Sequence, residues 1–102
     1  MKTIGTHNYF VYIITNNSKS VLYTGVTNNL SNRIDEHKQD AFCNKEHFAG
    51  KYNAYYLLYW EWFQYINNAI EREKQIKGWK RIKKEELITE FNPEWRFLND
   101  EI

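Results

Sequence analysis

The chain has 102 residues, enough for one domain with one modest core and too few for two. Its 14 Lys and Arg against 13 Asp and Glu leave a net charge of +1, and 42% of the residues are hydrophobic and 18% aromatic. That balance is too apolar and too neutral for a disordered chain, and it excludes binding to nucleic acid through bulk positive charge.

Residues 1–7 lack the apolar stretch of a secretory signal, and no apolar run along the chain approaches the ~20 residues of a membrane helix. Tyr9 to Thr15 is β-branched and aromatic and runs into a polar cluster, Asn16 to Ser20. A second β-rich run follows, Val21 to Val26. Two such runs around a short polar loop predict a β-hairpin. From Thr27 or Asn28, either a good N-cap, the pattern turns helical. Leu30, Arg33, Ile34, His37 and Ala41 then share one face at spacings of three and four. Asp40 to Asn53 reads as a surface loop. It contains Cys43, the single cysteine, so no intramolecular disulfide can form, and a cytoplasmic, non-membrane protein is the expectation. With one Cys and three His, a structural zinc site has almost no ligands.

Tyr55 to Phe63 is too aromatic for a typical surface helix and reads as a third strand. Asn67 or Asn68 caps the next helix, which runs to about Lys77, with Gly78 as a stop or bend. A last helix spans Trp79 to Phe91 and closes at Asn92-Pro93. The order β-β-α-β-α-α predicts one α+β domain over residues 1–102, a small sheet with helices packed on it.

Charge is unevenly placed. Residues 1–71 carry six basic and six acidic side chains, residues 72–84 seven basic and one acidic, and residues 85–102 one basic and six acidic. The middle segment, with Arg72, Lys74, Lys77, Lys80, Arg81, Lys83 and Lys84, is either a phosphate-facing footprint or the solvated face of an amphipathic helix. The acidic tail either covers part of that segment or keeps the chain soluble.

Polar residues also fall where the helical period asks for apolar ones. The stripe Ile66, Ala69, Ile70, residue 73, Ile76 and Lys77 has a glutamate at its centre, while Glu71 lies ~200° around the helix from Glu73 and faces water. A carboxylate held against a core needs a cation, a metal or donors. Arg33 and His37 repeat the anomaly in the first helix. One account is a Glu73–Arg33 ion pair between helices, with His37 beside it. Tyr12 and Tyr23, on the two arms of the hairpin, project to one face. Singly each is ordinary packing. Together, two phenols, an Arg, a His and a Glu on one face offer proton donors and acceptors, a cation for phosphate and an oxygen ligand for a hard metal.

Phe10-Val11-Tyr12 and, eleven positions after Tyr12, Tyr23-Thr24-Gly25 resemble the paired motif of the GIY-YIG nuclease superfamily. Arg33, ten residues after Tyr23, and His37, four beyond Arg33, match its spacings. The run from Ala69 to Glu73 resembles the helix bearing that family's metal-binding glutamate, placed here on Glu73. Asn92 resembles the asparagine that often ends the module. The segments 72–81 and 92–95 are similar to small stand-alone proteins that resemble the N-terminal nuclease domain of the ABC excinuclease, and the likeness extends from Tyr9 to Leu98. The chain departs from the motif in having Phe10 at the first glycine and Thr24 at an isoleucine.

The resemblance implies a three-stranded antiparallel sheet flanked by helices and metal-dependent hydrolysis of nucleic-acid phosphodiesters, DNA favoured over RNA, in repair or recombination. It implies Mg²⁺ or Mn²⁺, as a single ion, on Glu73. Arg33 would hold the scissile phosphate, Tyr23 or Tyr12 would orient or deprotonate the attacking water, and His37 would assist proton transfer. Gly25 and Asn92 match without a chemical role. Affinity would come from residues 72–84 and exposed aromatics, or from a protein partner that also supplies specificity. Two other readings keep the same fold. One is a non-catalytic nucleic-acid-binding module whose aromatic third strand stacks on unpaired bases. The other is an interaction protein with an interface of Trp60, Trp62, Trp79 and Trp95.

Overall fold

The computed structural model describes residues 7–43 and 53–102. Its elements are β1 (Tyr9–Thr15), β2 (Leu22–Thr27), α1 (Leu30–Cys43), β3 (Tyr56–Phe63), α2 (Ile66–Lys77), α3 (Arg81–Phe91) and a 3₁₀ turn at Asn99–Glu101. The three strands form one antiparallel sheet in the order β2-β1-β3. The expected α+β domain with element order β-β-α-β-α-α is the observed one. Residues 44–52, most of the expected surface loop, lie outside the described residues, as do residues 1–6.

Alternation along β1 divides the core in two. Tyr12 and Ile14 face one side, where they pack with Leu30 and Ile34 of α1 and with Leu57 and Leu98. Val11 and Ile13 face the other, with Ala69 and Ile76 of α2 and Ile88 of α3. The sheet is thus a middle layer between α1 and the α2–α3 pair. An irregularity in the β1–β3 ladder between Ile13 and Ile14 places both Leu58 and Tyr59 in the second cluster, an outcome strict alternation would forbid.

The hairpin turn is closed by Asn16, whose backbone carbonyl accepts from the Lys19 N–H at 2.9 Å and whose Oδ1 accepts from the Ser20 N–H at 2.8 Å. Arg81 braces it from α3, donating to the Ser20 and Lys19 carbonyls at 2.8 and 2.9 Å.

Several boundaries differ from those the sequence suggests. The α1 N-cap is Asn29, not Thr27 or Asn28. Its Oδ1 accepts the Asn32 N–H at 3.0 Å, and Thr27 instead accepts the Asn29 N–H. The helix continues through Cys43, three residues past the expected start of the loop. α2 begins at Ile66, behind an N-cap Tyr65 that makes no side-chain capping bond, so Asn67 and Asn68 lie within its first turn. Ile66 and Lys77 are exposed, which narrows the inward stripe to Ala69, Ile70, Glu73 and Ile76. α3 starts at Arg81, with Lys80 as its N-cap, rather than at Trp79.

Asn92 explains the end of the module. It is buried, and its Nδ2 donates to the Leu58 carbonyl of β3 at 3.2 Å and to the Arg96 carbonyl at 2.8 Å, while its Oδ1 accepts the Arg96 N–H at 3.1 Å. One side chain therefore ties the end of α3, the following turn and the central sheet together. Asn92→Ala leaves these groups without their partner and is expected to cost about 1–3 kcal/mol. A urea melt reads this directly, and an unchanged midpoint would contradict it.

The acidic tail turns back onto the α1 side of the sheet. Leu98 joins the first cluster, and its N–H donates to the Leu57 carbonyl at 2.8 Å. Asn99 Oδ1 accepts the Leu57 N–H at 2.8 Å, and Glu101 pairs with Arg96 at 3.0 Å.

Candidate active site

The hairpin register sets the two tyrosines diagonally across neighbouring strands. Tyr12 pairs with Gly25 and Ile14 with Tyr23, so both phenols lie on the α1 face. The Tyr12 ring crosses directly over Gly25. A Cβ built at residue 25 would collide with the Tyr12 hydroxyl and stand 2.5 Å from Cζ. Gly25 has no positive φ, so what the position needs is the absence of a side chain, not a glycine conformation.

From α1, His37 is buried against both rings. Its centroid lies 5.8 Å from that of Tyr12 and 5.5 Å from that of Tyr23, edge-on in each case. Tyr12 Oη and His37 Nε2 share a hydrogen bond of 2.8 Å. Arg33, one turn earlier, is half-exposed. It donates to Glu36 Oε1 at 2.8 Å and lies near enough to the Tyr12 phenol for the two to interact electrostatically. The bond to Glu36 first, and the nearby Tyr12 phenol after it, hold its guanidinium more firmly charged than usual against partial burial.

Tyr12 is 1% exposed, and its pKa is pushed up to about 12. Burial is the largest cause; Tyr23 and Glu73 nearby add to it, and Arg33 works against it. The phenol is therefore neutral at physiological pH in the absence of a further cation. Tyr59, on the opposite face, is likewise raised to about 12, mainly by burial. Folding favours the protonated form of both, so their contribution to stability is complete below pH ~10, the ordinary tyrosine value, and is lost as the pH rises toward 12. Urea midpoints are expected to fall between pH 10 and 12, and Tyr12→Phe should make that fall shallower. An equally steep fall in the variant would show that Tyr12 titrates normally.

Glu73 comes from the other layer. α2 packs on the face opposite α1, yet the Glu73 carboxylate is close enough to raise the Tyr12 pKa. Its neighbour one turn on, Lys77, places Nζ 5.9 Å from the Tyr23 ring centroid. Lys77 thus reaches Tyr23 on β2, the edge strand, while Glu73 acts electrostatically on Tyr12 of the central strand β1. Glu73 is 15% exposed and accepts an ion pair from Lys77, Nζ to Oε2 3.0 Å. The partner of Arg33 is Glu36 and not Glu73, so the inter-helix ion pair that would have explained both residues as packing is replaced by two pairs within helices.

A single carboxylate at a polar edge fits a hard Mg²⁺ or Mn²⁺ ion that keeps several waters and takes other oxygens from substrate. Among the described residues, no group of three or more His, Cys, Asp and Glu could form an all-protein metal cage. Also among them, no helix is long and apolar enough to cross a membrane.

The basic segment divides by role. Arg72 donates to Glu61 Oε1 of β3 at 3.0 Å and to Gln75 Oε1 at 2.7 Å, and lies over Trp79. Arg81 pairs with Glu85 at 2.8 Å while bracing the hairpin turn. Lys83 Nζ sits 4.5 Å from the Trp79 ring centroid. Lys74, Lys80 and Lys83 are exposed, and Lys84 is partly so.

The tryptophans are largely engaged within the chain. Trp60 packs edge-on to Phe10 and Phe91, and Trp95 Nε1 donates to Thr89 at 2.9 Å. Trp62 Nε1 donates to Asn8 at 2.8 Å, although half of Trp62 is exposed. Phe10, where the motif has its first glycine, fills the space beside Trp60. The roles of Lys77 at Glu73 and of Asn92 at the sheet were not separable in the sequence. Lys77 carried one signal, its i+4 spacing from an acid on an apolar stripe.

Comparison with known proteins gives a family match over most of the chain. The family model for the GIY-YIG catalytic domain matches residues 8–86. A UPF0213 protein of Clostridium perfringens is 38% identical over 80 residues, covering 78% of this chain and 82% of its own. That of Syntrophus aciditrophicus is 34% identical over 93 residues, covering 83% and 93%. One from Natronomonas pharaonis is 33% identical over 82 residues, covering 80% and 92%. No solved structure gives a significant match.

Proposed function

Because the chain belongs to the GIY-YIG catalytic domain family, a family of nucleases, we propose that it is a metal-dependent endonuclease, cutting DNA in preference to RNA. The observation that carries this reading is the gathering of Tyr12, Tyr23, Arg33, His37 and Glu73 around the buried Tyr12–His37 hydrogen bond, from two strands and two helices on opposite faces of the sheet.

Each residue's environment suggests its part. Arg33 is partly exposed and permanently charged, and its fork suits two oxygens of a scissile phosphate. Tyr23, half-buried beside Glu73's partner Lys77, orients or deprotonates the attacking water. Tyr12, buried and held to His37, fixes the Arg33 head and the edge of the site; His37, equally buried, keeps Tyr12 in place. Mg²⁺ or Mn²⁺ on Glu73 would supply positive charge for the phosphate and the leaving oxygen.

Lys74, Lys80, Lys83 and Lys84 are the proposed backbone contacts. Arg72 and Arg81 hold β3 and the hairpin turn in the orientation those contacts need. Lys80→Gln, Lys83→Gln and Lys84→Gln combined are expected to weaken binding about equally for all sequences and to flatten the log–log salt dependence by ~2–3. An unchanged slope would remove this face from the interface. A cytoplasmic setting in repair or recombination, with a protein partner adding specificity, completes the proposal.

The test is a labelled panel of single-stranded, duplex, flapped and branched DNA, with RNA beside it, in Mg²⁺, Mn²⁺ or EDTA. Metal-dependent cleavage supports the nuclease and names its substrate. Binding without cleavage by the wild type would instead make the chain a nucleic-acid-binding module of this fold.

A further inference from the structure

Lys77 stands where it has no need to be for packing. It is half-exposed on its own helix, yet its ammonium is 3.0 Å from Oε2 of a carboxylate that is only 15% exposed, and it also lies against the Tyr23 ring. An acid followed by a lysine four residues on is a common surface pair. Here the acid belongs to the site, and the lysine is held by two of the site's own groups. Glu73 would otherwise present an uncompensated, largely buried charge near the Tyr12 phenol, at a cost a nearby cation relieves.

We propose that Lys77 is the resident counter-ion of Glu73, and that a divalent ion must displace it to bind. The inference rests on Glu73 being the metal-binding carboxylate. One carboxylate cannot hold both cations closely without their repelling each other, so the affinity for metal is set partly by the strength of the Lys77–Glu73 pair. The long, half-exposed lysine stem lets the ammonium swing out to water without disturbing Ala69 and Ile76, which anchor α2 from its other side. In metal-poor conditions the same ammonium keeps Glu73 and Tyr23 covered. Lys77 thereby makes activity rise with metal concentration later than a bare carboxylate would allow.

Direct Mn²⁺ titration of the whole chain, followed by the electron paramagnetic resonance signal of the free ion, tests this without reference to cleavage. Lys77→Met is expected to bind Mn²⁺ about two- to five-fold more tightly than wild type, the range an ion pair of this exposure is worth. Lys77→Arg keeps the charge and should remain near wild type, and Glu73→Gln should lose the site. Circular dichroism melts of each variant establish that it is folded. Equal or weaker Mn²⁺ binding by folded Lys77→Met, with Glu73→Gln still abolishing it, would overturn the counter-ion role and leave Glu73 as a ligand. Mn²⁺ binding that survives Glu73→Gln, or that is absent from every variant, would overturn Glu73 as the ligand and this inference with it.

Discussion

Glu73→Gln is expected to lower metal-dependent cleavage by at least ~10²-fold, by analogy with the removal of one electrostatic stabiliser from a transition state. The substitution keeps the size and hydrogen-bonding shape of the side chain, so the Ala69 and Ile76 contacts of α2 remain. It removes the negative charge beside Tyr12 and the ion pair to Lys77. An ion pair with one half-exposed partner contributes little to stability, roughly 0–1 kcal/mol. The neutral amide also avoids the cost of a largely buried charge. The expected result is therefore a folded protein with a near-wild-type melting temperature, unchanged binding in EDTA and almost no cleavage. Cleavage within a few-fold of wild type would mean that the reaction does not depend on this carboxylate.

Gly25→Ala is expected to damage both stability and activity, through a single methyl group. The added Cβ would collide with the Tyr12 hydroxyl and lie 2.5 Å from Cζ and 3.0 Å from Cε2. Elsewhere a ring could swing away. Tyr12, however, is wholly buried and bonded to His37 at 2.8 Å. Overpacking of this kind costs about 1–3 kcal/mol, which for a domain of this size lowers the melting temperature by roughly 4–8 °C per kcal/mol. Moving the phenol also moves the Arg33 and His37 heads, and a shift of ~1 Å in such a set can cost ~10²-fold in rate. The cause can be isolated. In a Tyr12→Leu background the colliding atoms are gone, so the added methyl should cost much less than in wild type, a strong non-additivity between contacting residues. Additive losses would show that Gly25 matters for some reason other than the Tyr12 ring.

Much of this molecule was legible in the chain. The β-branched and aromatic runs Tyr9–Thr15 and Val21–Val26 identify a hairpin, and the second strand is observed one residue later, at Leu22–Thr27. Glu73 declares itself by standing in the apolar stripe of α2, and Arg33 and His37 do so on α1. Helix starts were less legible, since Thr27, Asn28 and Asn29 are all competent caps. Only the turn geometry, in which Thr27 accepts the Asn29 N–H, leaves Asn29 as the cap. Aromatic residues were ambiguous for the same kind of reason. A tryptophan on a strand reads alike whether it meets a base, a partner or Phe91, and contacts such as Trp60 with Phe91 come from distant parts of the chain.

The sequence by itself determined the element order, the division of charge and the identity of the five polar residues proposed as the site, since local periodicity and motif spacing are properties of the chain. Tertiary structure alone decided which neighbours each of them has. It set α1 and α2 on opposite faces of the sheet, brought Glu73 within electrostatic reach of Tyr12 and laid Lys77 against Tyr23 on the edge strand. It gave Arg33 to Glu36 and Glu73 to Lys77, where the sequence allowed Arg33 and Glu73 to pair with each other. It also turned Gly25 from a motif letter into the space a phenol occupies. Pairings of this kind depend on which surfaces the packed layers bring within a few ångströms, and residues far apart in sequence carry no local signal of that.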